Sequence, residues 1–559
     1  MKNYTSNISS PLLILPWGVT DWAATSLGGT LMSFTYSTTS FLILVSLVFI
    51  AQFWSEIHKK SNRQTLLPPG PAPWPIVGSI AELFRKKPIF RWILGLMKEM
   101  NIEIACFRFG DVHVIPVTCP EIAREFLKKQ DATFMSRPST MGTEYTSRGF
   151  LSIAVAPSGD QWKKMRRVVA SEVINPSRLR WLLEKRTEEA DNLVRYVHNQ
   201  CVSGAVVDVR VAVRQYSGNV IRKMMFNKRY FGEGMKDGGP GVEEEEYIDA
   251  LFTVLSVLYA FCVSDYMPSL RRFDLNGHEK IMKEAIKIVN KYHDPIIDER
   301  IREWREGKKK EVEDLLDVLI SVKDSNGKPL LSTEEIKAQT ADLIYAAVDN
   351  PSNAVEWALA EMINQPEMLQ KATEEIHRVV GKERLVQEYD IPQLTYVKAC
   401  AREAFRLHPI APFNLPHVSN ADTTVAGYFI PKGSHVLLSR IGLGRNPKVW
   451  DDPLKFKPER HLKDPSVEVE LVEPELRFIS FSTGRRGCMG AVLGSAMTVM
   501  LLARLLQGFT WGVPPGESRI ELCESRTDLL LAKPLIAHAT PCLPLHAYPT
   551  CKNGSWSSN

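Results

Sequence analysis

Apolar residues recur at three- and four-residue spacing through segments 187–199, 276–306, 333–364, 367–380 and 393–408, and each predicts a helix. A further helical pattern, AVLGSAMTVMLLARLL, starts at position 491. Period-two alternation is rarer and is confined to short segments such as 424–431 and 435–440 (HVLLSR), which predict strands. The balance predicts a mainly α protein with a smaller β part.

The N-terminal region breaks the amphipathic pattern. Residues 31–54 carry no charge, with a dense apolar run from Phe41, and suit one helix crossing a hydrocarbon layer of about 30 Å. Lys2 and Asp21 precede this run, whereas His58, Lys59, Lys60 and Arg63 follow it closely. Positive flanks stay cytoplasmic, so the expected arrangement has the N-terminus lumenal and residues 55–559 cytosolic. The sequons at Asn3 and Asn7 then face the lumen, and the one at Asn553 does not. A cleaved signal peptide fits less well, because the polar lead is long and no small-residue cleavage site precedes the basic flank. Prolines at 68, 69, 71, 73 and 75 predict a stiff extended strap over 66–79. No second linker or repeat occurs after it; the Gly- and acid-rich stretch 232–246 predicts a surface loop. The expected divisions are a tail (1–30), an anchor (31–54), a basic flank and strap (55–79), one large domain (80–540) and a frayed C-terminal tail (541–559).

Charge narrows the function. A net +5 over 559 residues, with Lys and Arg spread along the chain, argues against nucleic acid as a partner. Nine scattered cysteines without a CxxC pair argue against a disulfide framework or a zinc site. No GxGxxG or P-loop occurs, since GLG at 442–444 lacks the third glycine, so any redox chemistry must draw its electrons from another protein.

The most specific segment is FSTGRRGCMG, from Phe481 to Gly490. Gly484 and Gly487 permit a tight turn, and the helical pattern after Cys488 points its amides at the sulfur, which favours a thiolate. With Glu403-Ala-Phe-Arg406, Pro458-Glu459-Arg460-His461 and Trp162-Lys-Lys-Met-Arg166 standing in the family's order along the chain, the sequence resembles a microsomal cytochrome P450 from the strap to the C-terminus. The resemblance implies the cytochrome P450 fold and haem b, with Cys488 as the axial ligand of its iron. Phe481, Gly484 and Arg486 are implied to belong to the haem-binding loop. Trp162 and Arg166 are implied to bind one haem propionate and His417 the other. Glu403, Arg406 and Arg460 are implied to form a structural network behind the loop. The resemblance also implies that NADPH supplies electrons through NADPH-cytochrome P450 reductase at the endoplasmic reticulum membrane, and Lys163, Lys164, Arg167 and Arg485–Arg486 suit docking of an acidic flavoprotein.

The central helical segment departs from that pattern. Where monooxygenases of this family carry an acid followed by threonine, the chain reads Ala346-Ala347-Val348-Asp349-Asn350-Pro351. Asn350 and Asp349 are therefore the candidate catalytic residues, and Pro351 predicts either a bulge that holds water over the iron or a helix that ends and restarts there. This segment, with GDQWKKMRRV, FDLNGHEKI and KPERHL, is similar to the plant enzymes that N-hydroxylate amino acids. The similarity implies two N-hydroxylations of an L-amino acid using O2, then loss of carbon dioxide and water to give an aldoxime, in plant specialised or defence metabolism. Aromatic substrates are favoured. Arg137 or Arg148 is a candidate for the substrate carboxylate, and Phe413, Asn414 and part of 526–530 for its side chain. A hydroxylase of another small apolar substrate, or an O2-independent haem-thiolate isomerase or dehydratase, remains as the competing reading.

Overall fold

The computed structural model describes residues 44–48, 66–462 and 468–549. The tail 1–30, the basic flank and most of the predicted anchor lie outside the described residues; within the anchor, 44–48 is helical with Leu44, Leu47 and Val48 exposed. The chain divides into two units between Thr65 and Leu66, and the second carries every element that builds the cysteine loop and its surroundings.

The helices that organise this unit are α1 (Asp160–Val168), α2 (Leu183–Val202), α3 (Val209–Phe226), α4 (Val242–Leu258), α5 (His278–Arg305), α6 (Thr333–Ile363), α7 (Pro366–Val380), α8 (Thr395–Leu407) and α9 (Ala491–Gly508). The 31-residue α6 is the axis. Ser332 caps it reciprocally with Glu335, accepting from the Glu335 amide at 3.2 Å while Glu335 accepts from the Ser332 amide at 2.8 Å. Its second half is buried on nearly every face, polar residues such as Asn353 and Glu356 included, with Trp357, Val355 and Leu359 packed among α3, α8 and α9 in the main core. Val242–Tyr266 and Ala491–Gly508 are long and apolar enough to cross a membrane, yet α9 is mostly buried in this body and reads as a core helix.

Strands β1 (Phe107–Phe109), β2 (Val112–Val117), β4 (His417–Val418) and β7 (His435–Leu438) form one sheet in the order β1-β2-β7-β4, with β2 and β7 parallel. A second sheet joins β3 (Val207–Asp208), β9 (Ile536–Pro541) and β8 (Phe509–Gly512) in the order β3-β9-β8.

Four local expectations change. Segment 424–431 is a hairpin, β5 (Thr423–Val425) and β6 (Tyr428–Ile430), because Ala426 and Gly427 both take positive φ and reverse the chain. The acid run 243–246 belongs to α4 and not to a loop: Glu243, Glu244 and Glu245 stand in its first turn, where carboxylates complement the helix dipole, and Glu244 is buried in an ion pair with Arg222. The strap packs on the body: the Pro69 carbonyl accepts from Cys106 N at 2.9 Å, and a Cβ at Gly70 would overlap the Cys106 carbonyl oxygen at 1.9 Å. Residues 541–549 are ordered rather than frayed, because the buried Tyr548 hydroxyl donates to the Gly508 carbonyl at 2.6 Å.

Candidate active site

The loop ahead of α9 is shaped by its glycines. Gly484 has φ +72°, and a Cβ there would meet the Leu127 carbonyl oxygen at 2.3 Å, so a side chain is excluded twice over. Gly487 N donates to the Gly484 carbonyl at 3.0 Å and Cys488 N to the Phe481 carbonyl at 2.8 Å, which closes the turn beneath the thiol. Phe481 packs edge-on against Phe405 at 5.7 Å, in space that a Cβ at Gly494 would crowd.

Cys488 lies deep in the protein, yet its side chain is exposed, because it faces a cavity of about 310 Å³ instead of packed atoms. Burial raises the thiol pKa, opposed by the Gly490 amide and by the charges of Arg440 and Arg166. Those three groups are what would favour a thiolate.

On the α6 side the cavity is lined by Ala346, Ala347, Asp349, Asn350 and Pro351. The helix neither ends at Asn350 nor widens; it stays α-helical through Pro351. Tertiary packing holds it: the Ser352 hydroxyl donates to the Val348 carbonyl at 2.7 Å and lies 3.1 Å from the Ser217 hydroxyl on α3. What Pro351 does change is local, since without an N–H it leaves the Ala347 carbonyl with no helical donor on the cavity side. Small side chains at 346 and 347 keep the space open.

The cationic residues sort by what occupies their donors. Arg486 donates to the carbonyls of Met135 (2.6 Å), Ala156 (2.7 Å) and Ile153 (3.3 Å) while lying 4.3 Å over the Trp162 ring. Arg137 donates to the Leu415 and Pro416 carbonyls at 2.6 and 2.9 Å, and burial lowers its pKa to about 10. Arg166 sits 5.7 Å from the Trp162 ring and makes no ion pair among the described residues, so it is free to meet an anion in the cavity. His417 is buried in β4; Nδ1 lies 2.7 Å from the Phe134 carbonyl and Nε2 has no partner. Burial and the neighbouring Arg137 and Arg486 hold its pKa well below the ordinary value, so the ring is neutral and Nδ1 carries the proton.

Of the expected substrate contacts, Arg137 and Asn414 line the cavity. Arg148 does not: its guanidinium is tied to Asp294 at 2.6 Å and Glu334 at 3.1 Å. Phe413 turns into the core beneath the first sheet, with Leu437 and Leu529, and no residue of 526–530 reaches the cavity. Sequence reasoning misses Arg440. It follows β7, lines the cavity, and its buried Nε has no partner. A charged residue ending the apolar run HVLL was the available signal.

Behind the loop, Glu403 Oε1 accepts from Arg406 at 2.7 Å and Arg460 at 2.9 Å, and Oε2 accepts from Arg406 Nε at 2.8 Å. His461, absent from the expected network, lies 2.8 Å from Oε2. Burial alone would raise the Glu403 pKa, but hydrogen bonds from Arg406 and His461 outweigh it and hold the carboxyl at about 2.

Asp349 behaves oppositely. Burial raises it to about 7, against the pull of Arg214 and Arg440. Its unfolded-state value of 3.8 is lower, so its stabilising contribution is full below pH 3.8 and is lost as pH rises through 7. Asp349→Asn should therefore raise stability by about 1–4 kcal/mol at pH 8 and by much less at pH 5, measured as the shift in denaturant midpoint.

The Cytochrome P450 family profile spans residues 68–539. The chain is 60% identical over 513 residues to a tryptophan N-monooxygenase of Prunus mume, covering 91% of this chain and 96% of that protein. It is 57% identical over 546 residues to a tyrosine N-monooxygenase of Sorghum bicolor (94% and 98%), and 59% over 527 residues to a phenylalanine N-monooxygenase of Arabidopsis thaliana (92% and 99%). A zebra fish cytochrome P450 solved with abiraterone superposes with a TM-score of 0.66 at 24% identity, over 82% of this chain and 100% of the other, a likeness of fold. With a glycine-shaped cysteine loop facing a cavity under α6, and with this end-to-end similarity, the chain belongs to the cytochrome P450 family.

Proposed function

We propose that this protein is an amino-acid N-monooxygenase in which Cys488 ligates haem iron and an L-amino acid is hydroxylated twice at nitrogen, then loses carbon dioxide and water to leave an aldoxime. The observation that carries the reading is the Cys488 side chain facing the cavity lined by Ala346, Ala347 and Asn350, in a chain whose relatives are named for tryptophan, tyrosine, phenylalanine, valine and isoleucine.

The residues fit a haem. The family implies it, and the cavity offers a soft ligand on one wall with groups suited to carboxylates around it. Arg166 and Trp162 would hold one propionate. The unpartnered Nε2 of His417 suits the other: an anion there favours the imidazolium, whose second N–H it would accept while Nδ1–H stays on Phe134. Arg137 and Arg486, spent on backbone carbonyls, would shape the pocket and lend it charge. When bound, the thiolate-ligated haem supplies dioxygen activation and electron transfer. Each hydroxylation consumes one dioxygen and two electrons, which NADPH-cytochrome P450 reductase delivers at the basic face around Lys163 and Arg167.

Asn350 and Asp349 act on protons. The Asn350 amide both donates and accepts, so it can hold a water against the Ala347 carbonyl that Pro351 leaves free, with the Asp349 carboxyl as the neighbouring proton reservoir. Asn350→Thr should lower product formation about ten- to a hundred-fold, with reducing equivalents lost to peroxide, because the Thr hydroxyl also donates and accepts but stands one bond nearer the backbone than the amide and so forfeits the hydrogen bond that positions the water. Peroxide release and NADPH consumption per product measure this; unchanged coupling would make Asn350 a bystander.

Localisation follows from sequence: an anchor at 31–54 with a basic flank supports a single-pass endoplasmic reticulum protein whose domain 80–540 is cytosolic. Incubating the membrane-bound enzyme and reductase with each of the twenty amino acids tests the proposal. Aldoxime from at least one, with an aromatic substrate favoured, supports it. Turnover of non-amino-acid substrates alone, or isomerisation without O2, would replace it.

A further inference from the structure

The cavity facing Cys488 is lined by six charged side chains, Arg137, Arg166, Asp342, Asp349, Arg440 and Arg486. Four are already accounted for. Arg137 and Arg486 donate to backbone carbonyls, and Arg166, itself without an ion pair among the described residues, is assigned with Trp162 to a haem propionate. Asp342 accepts from the Ala154 amide at 2.9 Å. Asp349 and Arg440 remain, one of each sign, and neither side chain has a hydrogen bond or ion pair among the described residues. They lie near enough to feel each other's charge, yet they make no direct contact within 4.0 Å.

A buried guanidinium without a partner is costly, and a structural ion pair would have closed the gap. The fold instead holds the two residues apart. Arg440 is fixed from its backbone, with its N–H on the Pro412 carbonyl at 2.9 Å and Ser439 bridged to Phe413, so the side chain leaves the end of β7 beside the cavity-lining segment 414–415. Asp349 is fixed by the unbroken α6. A guanidinium held apart from a carboxyl that an approaching cation would ionise is complementary to a ligand that carries an anionic and a cationic group on one carbon, which describes an α-amino acid zwitterion. Arginine also suits a carboxylate geometrically, because its planar fork offers two parallel donors.

We propose that Arg440 binds the α-carboxylate of the substrate and Asp349 its α-ammonium group, so that the pair sets which end of the molecule faces Cys488. The inference rests on the amino-acid function proposed for this site and assigns the recognition that function requires. It also explains why Arg137, whose donors are committed to Leu415 and Pro416, need not serve.

Soret-shift titrations of the holoenzyme test it with three ligands that share a phenylethyl group: L-phenylalanine, 2-phenylethylamine, which lacks the carboxylate, and 3-phenylpropionic acid, which lacks the amine. Arg440→Gln should weaken L-phenylalanine and 3-phenylpropionic acid about tenfold or more and leave 2-phenylethylamine unchanged. Asp349→Asn should weaken L-phenylalanine and 2-phenylethylamine and spare the acid. Arg440→Lys keeps the charge but loses the fork, and should give a smaller loss of the same selectivity; it stands in if Arg440→Gln yields no holoprotein. An intact ferrous–CO band shows that the haem pocket has survived in each variant. Equal weakening of all three ligands, or no weakening of the two carboxylates, would overturn the assignment. If L-phenylalanine, L-tyrosine, L-tryptophan, L-valine and L-isoleucine all leave the parent Soret band unmoved, the amino-acid function falls first and takes this inference with it.

Discussion

Cys488→Ala should abolish the ferrous–CO band that marks thiolate ligation and reduce aldoxime formation to the level seen without enzyme. The loop offers no replacement ligand: Met489 is the next residue, but the backbone bond from Cys488 N to the Phe481 carbonyl and the turn at Gly484 fix which side chain meets the cavity. The eight cysteines among the described residues are all free, and of these Cys488 is the one that lines the cavity. Cys400, for comparison, is wholly buried in α8, and its thiol is pushed far above the ordinary range by burial and nearby carboxylates, which marks an inert core residue. The measurement is the reduced CO difference spectrum of purified variant and parent. A thiolate-type band persisting in the variant would mean that another cysteine serves.

Glu403→Ala should be the most damaging change away from the cavity. Glu403, Arg406, Arg460 and His461 are buried together, and removing the carboxylate leaves two guanidinium groups without their anion. Breaking such a pair from one side costs about 3–5 kcal/mol, a large part of a domain's net stability. The expected readout is loss of holoprotein at growth temperature, with partial recovery at lower temperature. The parent should show the linked pH effect. Because the folded Glu403 sits at about 2 against 4.5 when exposed, its contribution of about 3 kcal/mol is present above pH 4.5 and is lost as pH falls toward 2. Denaturant unfolding between pH 3 and 6 would show the slope, and Glu403→Gln would flatten it.

How much of this was legible in the sequence depends on where each residue sits. The amphipathic helices α5, α7 and α8 were found within two residues at each end, because each has one wet face and so a clear period. Helix α3 lies in the core and α4 is only partly buried, and the buried polar residues that they share in one ion pair, Arg222 and Glu244, blurred the apolar period of each. The cysteine loop was readable because its chemistry is local: glycines, basic residues and thiol are contiguous. The Glu403 network was readable from two short motifs, though His461 was not, since a histidine after an arginine carries no spacing signal of its own. The substrate side was read least well. Arg148 and Arg440 are both arginines near apolar segments, and only tertiary structure shows one committed to Asp294 and Glu334 and the other facing the cavity unpaired. The proline in α6 misled for a related reason: propensity argues for a break, and packing of Ser352 against α3 overrides it.

If dioxygen activated at the Cys488 haem is inserted at the nitrogen of an amino acid, its oxygen must be traceable into the product. The direct measurement is a single-enzyme incubation of reductase, NADPH and carboxyl-labelled L-phenylalanine, or whichever amino acid turns over, under ¹⁸O2. The expected product is an aldoxime whose oxygen is ¹⁸O, with the carboxyl label released as carbon dioxide, and no substrate consumption under argon or without reductase. Product formed without dioxygen, or an aldoxime oxygen derived from water, would contradict it.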